Sequence, residues 1–471
     1  MQAKNQAPTL STSIRGPLPG LCSCHGSPFA ASPLLDWFRL LFPRAALWKL
    51  PSLRSRRCYE RLFTPIVTLW YLIFQRLHHD STLEAVVLDA HTGGADGLLS
   101  RFSKKIRSQA TPAYNDARQR LPLAFLQEAL SLQVDRFREF FASGQWRGLH
   151  LCLLDGSTLR LRPHGDIAQH FPPHSNQYSQ GYWCLMRVVV CFCPCTGAAL
   201  AYALGALHQS EQALAHLIIR ASGALRLYIG DRNFGVYSIA QAARAAGSHV
   251  LVRLTQRRAR KVRGAALRLG DHALEWKPSR QDQQPEGSCN QPIGGRLLVV
   301  EVQRPGFRSQ TLYLFTSLEV QYLAPELVEL YGLRWQVELN LRYLKSQMAL
   351  AQLESKSAQM AHKEWVAGLM AYNLIRAAML CAALHTGANP LSLSFSAARR
   401  HVQLGLEKVL CRPKACREQS WEKLLQLISK SKLPKRRKRR LDEPRAQRRV
   451  PSVFPNLKGD RQTARKNFQK N

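Results

Sequence analysis

Acidic residues are scarce in this chain of 471 residues. It has 31 Asp and Glu against 67 Lys and Arg, which gives a formal net charge of +36. An excess of one sign on this scale repels itself unless a polyanion neutralises it. Nucleic acid is therefore the first partner to consider, and an anionic membrane surface is the second. With 45% hydrophobic residues the chain can still bury a core, which excludes wholesale disorder.

Uninterrupted apolar runs long enough to cross a bilayer are also missing. The run over 62–77 contains Pro65 and falls short of the ~20 residues that a membrane-spanning helix needs. The run over 365–384 is long enough, but Asn373 and Arg376 interrupt it, which favours a buried helix. The first residues lack the charged, apolar and small-residue order of a signal peptide. We therefore expect a soluble cytoplasmic protein with no membrane partner.

Paired metal-binding cysteines are missing too, although the chain has 12 cysteines. Cys191, Cys193 and Cys195 alternate with other residues, which is the spacing of a strand. Zinc knuckles usually place two residues between paired ligands, and no second matching pair lies nearby in the sequence. We therefore expect structural thiols in a reducing compartment rather than a zinc site.

The hydrophobic period changes from helical to strand-like near residue 149. The order of strands and helices that follows predicts an α/β fold with an RNase H-like mixed sheet flanked by helices, a β-rich insertion domain and an all-helical N-terminal module. The predicted segments are a poorly specified extension over 1–58, a helical module that either binds DNA or only packs over 59–145, the first part of the core over 146–255, the insertion over 256–322, a further helical part of the core over 323–429, and a basic disordered tail over 430–471.

Two aspartates are conspicuous because acids are so few. Asp155 follows an apolar strand over 150–154, and Asp231 follows another over 226–229. The end of a strand is where a sheet presents side chains to a cleft. Carboxylates gathered in so basic a chain need a cation to offset their repulsion, and oxygen ligands suit Mg²⁺ or Mn²⁺. An ordinary turn former or helix cap is the alternative interpretation of each aspartate.

A third acid lies on a predicted helix that carries an uncommon combination of side chains. At about 100° per residue, Tyr331, Arg334, Glu338 and Lys345 fall within an arc of roughly 60° on one face. From the residue frequencies this combination is expected about 0.02 times in the chain. A simple ion pair between Arg334 and Glu338, four residues apart, is the alternative.

This combination resembles the Y-(2)-R-(3)-E-(6)-K signature of bacterial DDE transposases of the insertion-sequence-four family. Tyr331, Arg334, Glu338 and Lys345 match it position by position. The residues over 155–159 and over 230–253 resemble the blocks around the first and second aspartates of these proteins, and the residues over 443–455 resemble their basic ending. The similarity covers about 59–465. It also implies a β-rich domain between the last sheet strand and the glutamate helix.

The resemblance implies a function as well as a fold. It predicts a cut-and-paste DNA transposase of an insertion sequence, which cleaves transposon ends and transfers the strands to target DNA through a hairpin intermediate. Asp155, Asp231 and Glu338 would then hold two divalent metal ions, Mg²⁺ or Mn²⁺, with Asp155 bridging them. The implied partners are double-stranded DNA, as terminal inverted repeats and as target, and a second copy of the chain in a homodimer on DNA.

Five further residues are predicted to contact DNA. Arg334 and Lys345 would bind phosphates near the terminal base, and Tyr331 would donate a hydrogen bond there. Trp335 would stack beside a flipped base, or is simply a core tryptophan. Arg232 would approach the scissile phosphate or pair with a metal-binding carboxylate, and both roles are open.

Three other functions remain compatible with the sequence. The nearest is a metal-dependent nuclease on an RNase H-like scaffold, which would cleave DNA without joining it. A non-catalytic nucleic-acid-binding protein would explain the positive charge but not the acids. A decayed element with intact motifs and no activity is the third.

Overall fold

The computed structural model describes most of the chain, with gaps at both ends and in several loops. The described residues are 34–54, 62–78, 80–99, 108–141, 145–175, 180–264, 266–279, 291–304, 307–410, 414–433 and 460–468. They form a large mixed sheet flanked by helices, so the α/β class is confirmed.

Helices precede, flank and follow the sheet. They are α1 Leu34–Leu41, α2 Arg44–Trp48, α3 Pro51–Arg54, α4 Pro65–Leu77, α5 Leu83–His91, α6 Pro112–Arg120, α7 Leu123–Phe141, α8 Ile167–His170, α9 Glu211–Ala221, α10 Tyr237–Ala245, α11 Gln256–Arg263, α12 Ala324–Gly332, α13 Trp335–Arg342, α14 Ala358–Thr386, α15 Phe395–Leu410, α16 Lys414–Lys430 and α17 Arg461–Phe468. Single 3-10 turns form at Asp96–Leu98 and Pro390–Ser392, and a π-helical turn forms at Tyr343–Gln347.

The strands of the described part belong to one sheet. They are β1 Gln145–Trp146, β2 Leu149–Leu161, β3 Pro173–Ser175, β4 Gln180–Phe192, β5 Ala199–Ala206, β6 Arg226–Gly230, β7 His249–Arg253, β8 Gly270–Trp276, β9 Ile293–Arg304, β10 Phe307–Thr316 and β11 Gln352–Leu353.

Strand β2 lies in the middle of the sheet. It pairs in parallel with β6, which pairs in parallel with β7, and it pairs antiparallel with β4 on its other side. Strand β5 pairs antiparallel with β4. Beyond β7 the sheet continues through β10, β9 and β8, all antiparallel. Helices α9 and α10 lie in the connections that lead into the parallel strands β6 and β7. Parallel neighbours cannot be joined by a tight turn, because the chain has to return to the opposite edge of the sheet.

Alternation along β2 divides the core between the two faces of the sheet. Leu151 and Leu153 belong to the core that includes α4, α7 and α14, whereas Cys152 and Leu154 belong to the core that includes α9 and α10. A strand whose two faces are both buried reads as a continuous apolar run. This explains why the four consecutive residues over 151–154 are all apolar.

The long helix α14 is the centre of the larger core. It begins after Ser357, whose Oγ accepts a hydrogen bond from Met360 N, and it ends at Gly387 in the left-handed conformation. It is long and apolar enough to span a membrane, but its most apolar window is completely buried inside the protein. The prediction of a buried helix over 365–384 is confirmed.

The N-terminal part differs from the sequence prediction. Where the sequence predicts a poorly specified extension over 1–58, residues 34–54 form three short helices. Trp37, Phe38 and Leu41 share one helical face and are fully buried in the main core. A short helix becomes stable when a large apolar face packs against a preformed core, and this packing is invisible in local composition. Residues 1–33 and 55–58 of that segment lie outside the described residues.

Three other predicted elements have different bounds. Strand β2 runs on to Leu161, so Asp155 lies within the strand rather than after it. The predicted glutamate helix is interrupted by a turn at 333–334 and ends in the π-helical turn. In the tail, residues 461–468 form α17 where disorder is predicted, while 434–459 lie outside the described residues.

The segment over 256–322 begins with α11 and is otherwise rich in strands, as predicted. Its three strands extend the sheet at the β7 edge through pairs such as Leu314 with Arg253. The description of this segment as a separate insertion domain stays a prediction, as do the other domain boundaries.

Candidate active site

Asp155 and Asp231 lie where two parallel strands separate. The last paired residues of β2 and β6 are Leu153 and Ile229, and each aspartate follows its paired residue by two positions. Because β6 ends at this point while β2 continues, a gap opens beside β2. The two carboxylates are thus brought to the same gap from strands that are far apart in sequence.

The environment of Asp155 disfavours its charged form. Burial, together with the nearby carboxylates of Asp231 and Glu211, raises the pKa of Asp155 from 3.8 to about 7. The Gly156 N–H, which donates to Asp155 Oδ1 at 2.9 Å, and the guanidinium of Arg334 act in the opposite direction. Asp231 Oδ1 accepts a hydrogen bond from Asn233 N at 2.8 Å, which holds the turn after β6.

The Glu338 carboxylate forms an ion pair with an arginine and does not cluster with the two aspartates. Arg334 Nη1 lies 3.0 Å from Glu338 Oε1, in the ion pair that the sequence offers as an alternative. The Arg334 guanidinium is largely buried and also lies near Asp231 and Tyr331. In the described part of the chain, no three His, Cys, Asp or Glu side chains lie close enough together to hold a metal ion. The structure therefore brings Asp155 and Asp231 together and places Arg334 between them and Glu338.

The other residues of the predicted helix surround this gap. Lys345 Nζ donates to Ser157 Oγ on β2 at 3.2 Å. The Tyr331 hydroxyl is buried beside the Arg334 guanidinium, and burial raises the pKa of Tyr331 to about 12. The role of Tyr331 in binding DNA stays a prediction.

The two residues that the sequence left open, Trp335 and Arg232, are both exposed. Trp335 is 51% exposed, and the Arg334 guanidinium lies 5.0 Å from the centre of its ring. The alternative of a core tryptophan is therefore wrong, and the indole is accessible for stacking. Arg232 lies near the guanidinium of Arg253 at the end of β7. Its two predicted roles both stay predictions.

Similarity to known proteins supports the prediction from these residues. The family model described as "Transposase DDE domain" matches residues 146–374, the part of the chain that contains both aspartates and Glu338. The transposase InsG of insertion sequence element IS4 from Escherichia coli K12 is 28% identical over 296 residues, which is 61% of this chain and 65% of that protein. Both similarities support the prediction, made from the sequence signature, of a DDE transposase of the insertion-sequence-four family.

The fold of the chain also has a weak structural likeness to a solved transposase. The piggyBac transposase, in a cryo-EM synaptic complex with hairpin DNA, matches with a TM-score of 0.39 and 11% sequence identity. That similarity covers 84% of this chain and 85% of the piggyBac chain.

Asp155 and Asp231 supply the kind of ligand atom that a hard divalent cation takes, since both present carboxylate oxygens at one gap. A third acidic ligand is not gathered there among the described residues. The assignment of Asp155, Asp231 and Glu338 as the metal ligands stays a prediction.

Two residues of the site were missed by the sequence prediction. Glu211 is the first residue of α9, where acids are common because they interact favourably with a helix N-terminus. Arg253 ends β7 and lies near Asp231, Tyr331 and Arg334. The rule that singled out Asp231, a charged residue at the end of a buried strand, would have found Arg253. No sequence signal connects Glu211 to Asp155, since that contact depends on how α9 meets the gap in the sheet.

Proposed function

We propose that this protein is a cut-and-paste DNA transposase that cleaves the ends of its insertion sequence and joins them to target DNA, through a hairpin intermediate. The observation that carries the proposal is the register that brings Asp155 and Asp231 to one gap, with the Arg334–Glu338 pair beside it. Similarity to DDE transposases supports the proposed reaction class of this arrangement. The sheet is proposed to be RNase H-like, which the order β5, β4, β2, β6, β7 supports.

The proposed cofactor is Mg²⁺ or Mn²⁺, held by Asp155, Asp231 and Glu338. When bound, two such ions would activate the attacking oxygen and stabilise the leaving oxygen of a phosphodiester. Asp155 has to be ionised to hold a cation, so its proton must leave when the cation enters.

The chain's own residues would bind and position the DNA. Arg334 and Lys345 offer cationic groups near the gap, and the buried Tyr331 hydroxyl beside Arg334 can donate to a phosphate oxygen. When Arg334 binds a phosphate, Glu338 is free to turn towards the aspartates. Trp335 offers an exposed ring for stacking on an unpaired base.

The proposed partners follow from the same chemistry. They are double-stranded DNA, as terminal inverted repeats and as target, and a second copy of the chain in a homodimer on DNA. The net charge of +36 favours a polyanionic partner. A cytoplasmic, nucleoid-associated location in a bacterium is part of the proposal.

A cleavage and joining reaction tests the proposal. The substrate is labelled DNA carrying the repeats that flank the gene, incubated with target plasmid and Mg²⁺. Asp155→Asn, Asp231→Asn and Glu338→Gln should each lower cleavage by at least about a thousandfold, on the scale of the several kcal/mol that bound metal supplies. Binding of the labelled DNA should persist.

The control is Asp135→Asn on α7, an exposed aspartate remote from the gap, which should leave cleavage unchanged. Cleavage without joined product would identify a nuclease and contradict the proposal. Activity that survives a chelator, or survives loss of the aspartates, would contradict it as well.

A further inference from the structure

We infer that the exposed face of α11 binds the phosphate backbone of double-stranded DNA beside the candidate active site. This basic face consists of Arg257, Arg260 and Lys261. The inference deepens the proposed function and rests on it, because it assigns to DNA a surface that lies outside the predicted site residues. The contacts would be to phosphates, which position DNA on a protein, rather than to the edges of bases.

Helix α11 combines a buried face with a strongly cationic one. Its eight residues, Gln256–Arg263, include five Arg and Lys and no acid. Ala259 is fully buried, and Val262 packs against the same core, which includes α9 and α10. At about 100° per residue, the three side chains of the basic face fall within an arc of roughly 100° on the opposite side, and all three are exposed. Core packing thus holds the helix and presents these cations to solvent.

The charges of the basic face are not balanced within the protein. In the part of the chain that the structure describes, no carboxylate forms an ion pair with any of these three side chains. On α7, by contrast, Arg136 pairs with Glu139 and Arg138 pairs with Asp135. Pairs of this kind stabilise a solvated helix. Because α11 has no acid of its own, the negative charge that balances it has to come from a partner.

The same charges also act against the helix that carries them. Arg257 and Lys261 are four residues apart, which is a spacing at which like charges on a helix repel each other. Arg257 and Arg258 lie in the first turn, where the partial positive charge of the helix N-terminus disfavours cations and no acid offsets it. A polyanion relieves both effects. Double-stranded DNA carries one negative charge per about 1.7 Å of its axis, so it can neutralise several cations of a short helix at once.

Contacts of α11 fix it next to the turn that carries Asp231. Arg258 Nη1 donates to Gly235 O at 2.5 Å and to Arg232 O at 3.5 Å, both in the turn that follows β6. This turn packs directly on the end of β7, since a Cβ at Gly235 would lie 2.1 Å from Arg253 O. The basic face begins one residue before Arg258, so it lies at the border of the candidate active site.

Further cations connect the basic face to the gap between the strands. Arg253, which ends β7 three residues before α11 begins, lies near Arg232 and Arg334. Arg334 forms its ion pair with Glu338 beside the two aspartates. A DNA backbone that binds at Arg334 would therefore meet the cations of Arg253 and Arg232 before it reaches α11. This arrangement places the basic face on DNA that flanks the reacting phosphate.

The test is DNA binding by the full-length protein across a series of salt concentrations. Arg257→Gln combined with Lys261→Gln removes two charges and keeps residues with a high helix propensity. This double Gln variant should bind DNA at least about tenfold more weakly at low salt. It should also lower the slope of log affinity against log salt by about 2, since each phosphate contact contributes about 0.9.

The matched control removes two charges elsewhere. Arg220→Gln combined with Arg244→Gln replaces exposed arginines in the last turns of α9 and α10, two helices whose first turns lie nearer to the gap. This control should bind DNA with the affinity and the salt slope of the wild type.

Two measurements separate DNA binding from a structural role. The double Gln variant should unfold at a temperature no lower than that of the wild type, because it relieves repulsion on α11. Arg257→Lys combined with Lys261→Arg exchanges the side chains but keeps both charges, and it should retain the wild-type salt slope. Equal losses of affinity in the Gln variant and in this charge-preserving variant would overturn the inference.

Two binding reactions identify the DNA that α11 contacts. The first measures the affinity of the free protein for labelled DNA that carries the repeats flanking the gene. The second measures capture of a labelled target plasmid by protein that already holds those ends. A loss in the first reaction assigns the basic face to the transposon end, and a loss in the second reaction alone assigns it to the target. Either result supports the inference.

Wild-type affinity and salt slope of the double Gln variant in both reactions would overturn the inference. Unchanged DNA binding together with weaker binding to vesicles of anionic lipid would also overturn it, since the face would then bind a membrane. A protein whose DNA binding depends on the basic face but which joins no DNA would refute only the proposed function.

Discussion

Arg334 is a cationic residue that lies near several of the acidic residues of the site. Its guanidinium pairs with Glu338, contacts the ring of Trp335 and lies near Asp231. Its positive charge offsets the repulsion among the acids near it. Under the proposed function, exchange of Arg334 from the Glu338 carboxylate to a DNA phosphate would free Glu338 for the proposed metal site.

Replacing this arginine tests that coupling. Arg334→Ala should lower strand transfer by at least about tenfold even at low salt, because it removes a charge-assisted contact to the reacting phosphate. The matched control is Arg342→Ala, which removes an exposed arginine from the same helix and should change the rate little. The measurement is the initial rate of joined product, and equal rates for the two variants would contradict the phosphate role.

The buried charge of Asp155 predicts a pH dependence of stability. Its folded-state pKa of about 7 lies above the value of 3.8 for an exposed aspartate. The protonated carboxyl therefore stabilises the fold at low pH, and this contribution is lost as the pH rises through about 7. In the absence of metal, Asp155→Asn should gain stability relative to the wild type between pH 5 and pH 8. Urea unfolding at the two pH values measures this gain. If the difference in unfolding free energy between Asp155→Asn and the wild type is the same at both pH values, the pKa of Asp155 is not raised by the fold.

At the scale of single residues, the sequence pattern predicted that Asp155 and Asp231 meet at one edge of the sheet, and the strand register brings them together. Strand ends and helix periodicity are local patterns, which is why these residues and the signature could be singled out, while their roles stay predictions. Glu211 was not found, since its contact with Gly156 joins residues 55 positions apart through the way α9 meets the sheet. The exposure of Trp335 was equally unpredictable, because the helical pattern does not say what covers the outer face.

At the scale of elements, the glutamate helix is positioned from behind by α14. Asn340, two residues after Glu338, is buried, and its Oδ1 accepts from Arg376 Nη2 at 2.6 Å. Arg376 also donates from Nε to the Tyr372 hydroxyl at 2.9 Å. The same arginine that argued against a membrane-spanning helix thus connects the central helix to the site.

Removing the acceptor should destabilise the protein. Asn340→Ala leaves a buried guanidinium with one hydrogen bond fewer, at a cost of about 1–3 kcal/mol. Urea unfolding of the variant measures this cost. Leu339→Ala, at an exposed position of the same helix, should change stability by no more than about 0.5 kcal/mol. Equal effects of the two changes would show that the Arg376 contact contributes nothing.

The bounds of elements were less predictable than their existence. The turn at 333–334 and the π-helical turn at Tyr343–Gln347 interrupt a sequence with an unbroken helical pattern. Strand β2 passes Asp155 because its second half pairs with β4, from Asp155 with Val190 to Leu161 with Cys184. Such pairing is long-range, and the less apolar sequence after Asp155 does not indicate it.

At the scale of the whole molecule, the basic tail is predicted to add salt-dependent affinity for DNA. Residues 430–471 contain 16 Lys and Arg against 3 acids. The described fold extends into this segment, since Leu433 N donates to Ser392 O at 2.8 Å, so a deletion should begin after Leu433. Loss of 434–471 should flatten the dependence of log affinity on log salt, because fewer counterions are released from DNA.

The control for this deletion keeps the length of the tail. Replacement of the six basic residues over 435–440 by Gln should reproduce part of the flattening without shortening the chain. Binding to labelled DNA across a series of salt concentrations gives the slope. A deletion with the wild-type slope would mean that the tail makes no contact with phosphates.

The central position of α14 has a consequence for how the protein is made. This helix packs against α4 and α7, yet it is synthesised about 290 residues after α4. At ribosomal speeds of about 5–20 residues per second, the apolar face of α4 stays without this partner for about 15–60 s. During this interval a nascent chain depends on chaperones for protection. Truncated chains that end before residue 358 would lack α14 and therefore the centre of the larger core.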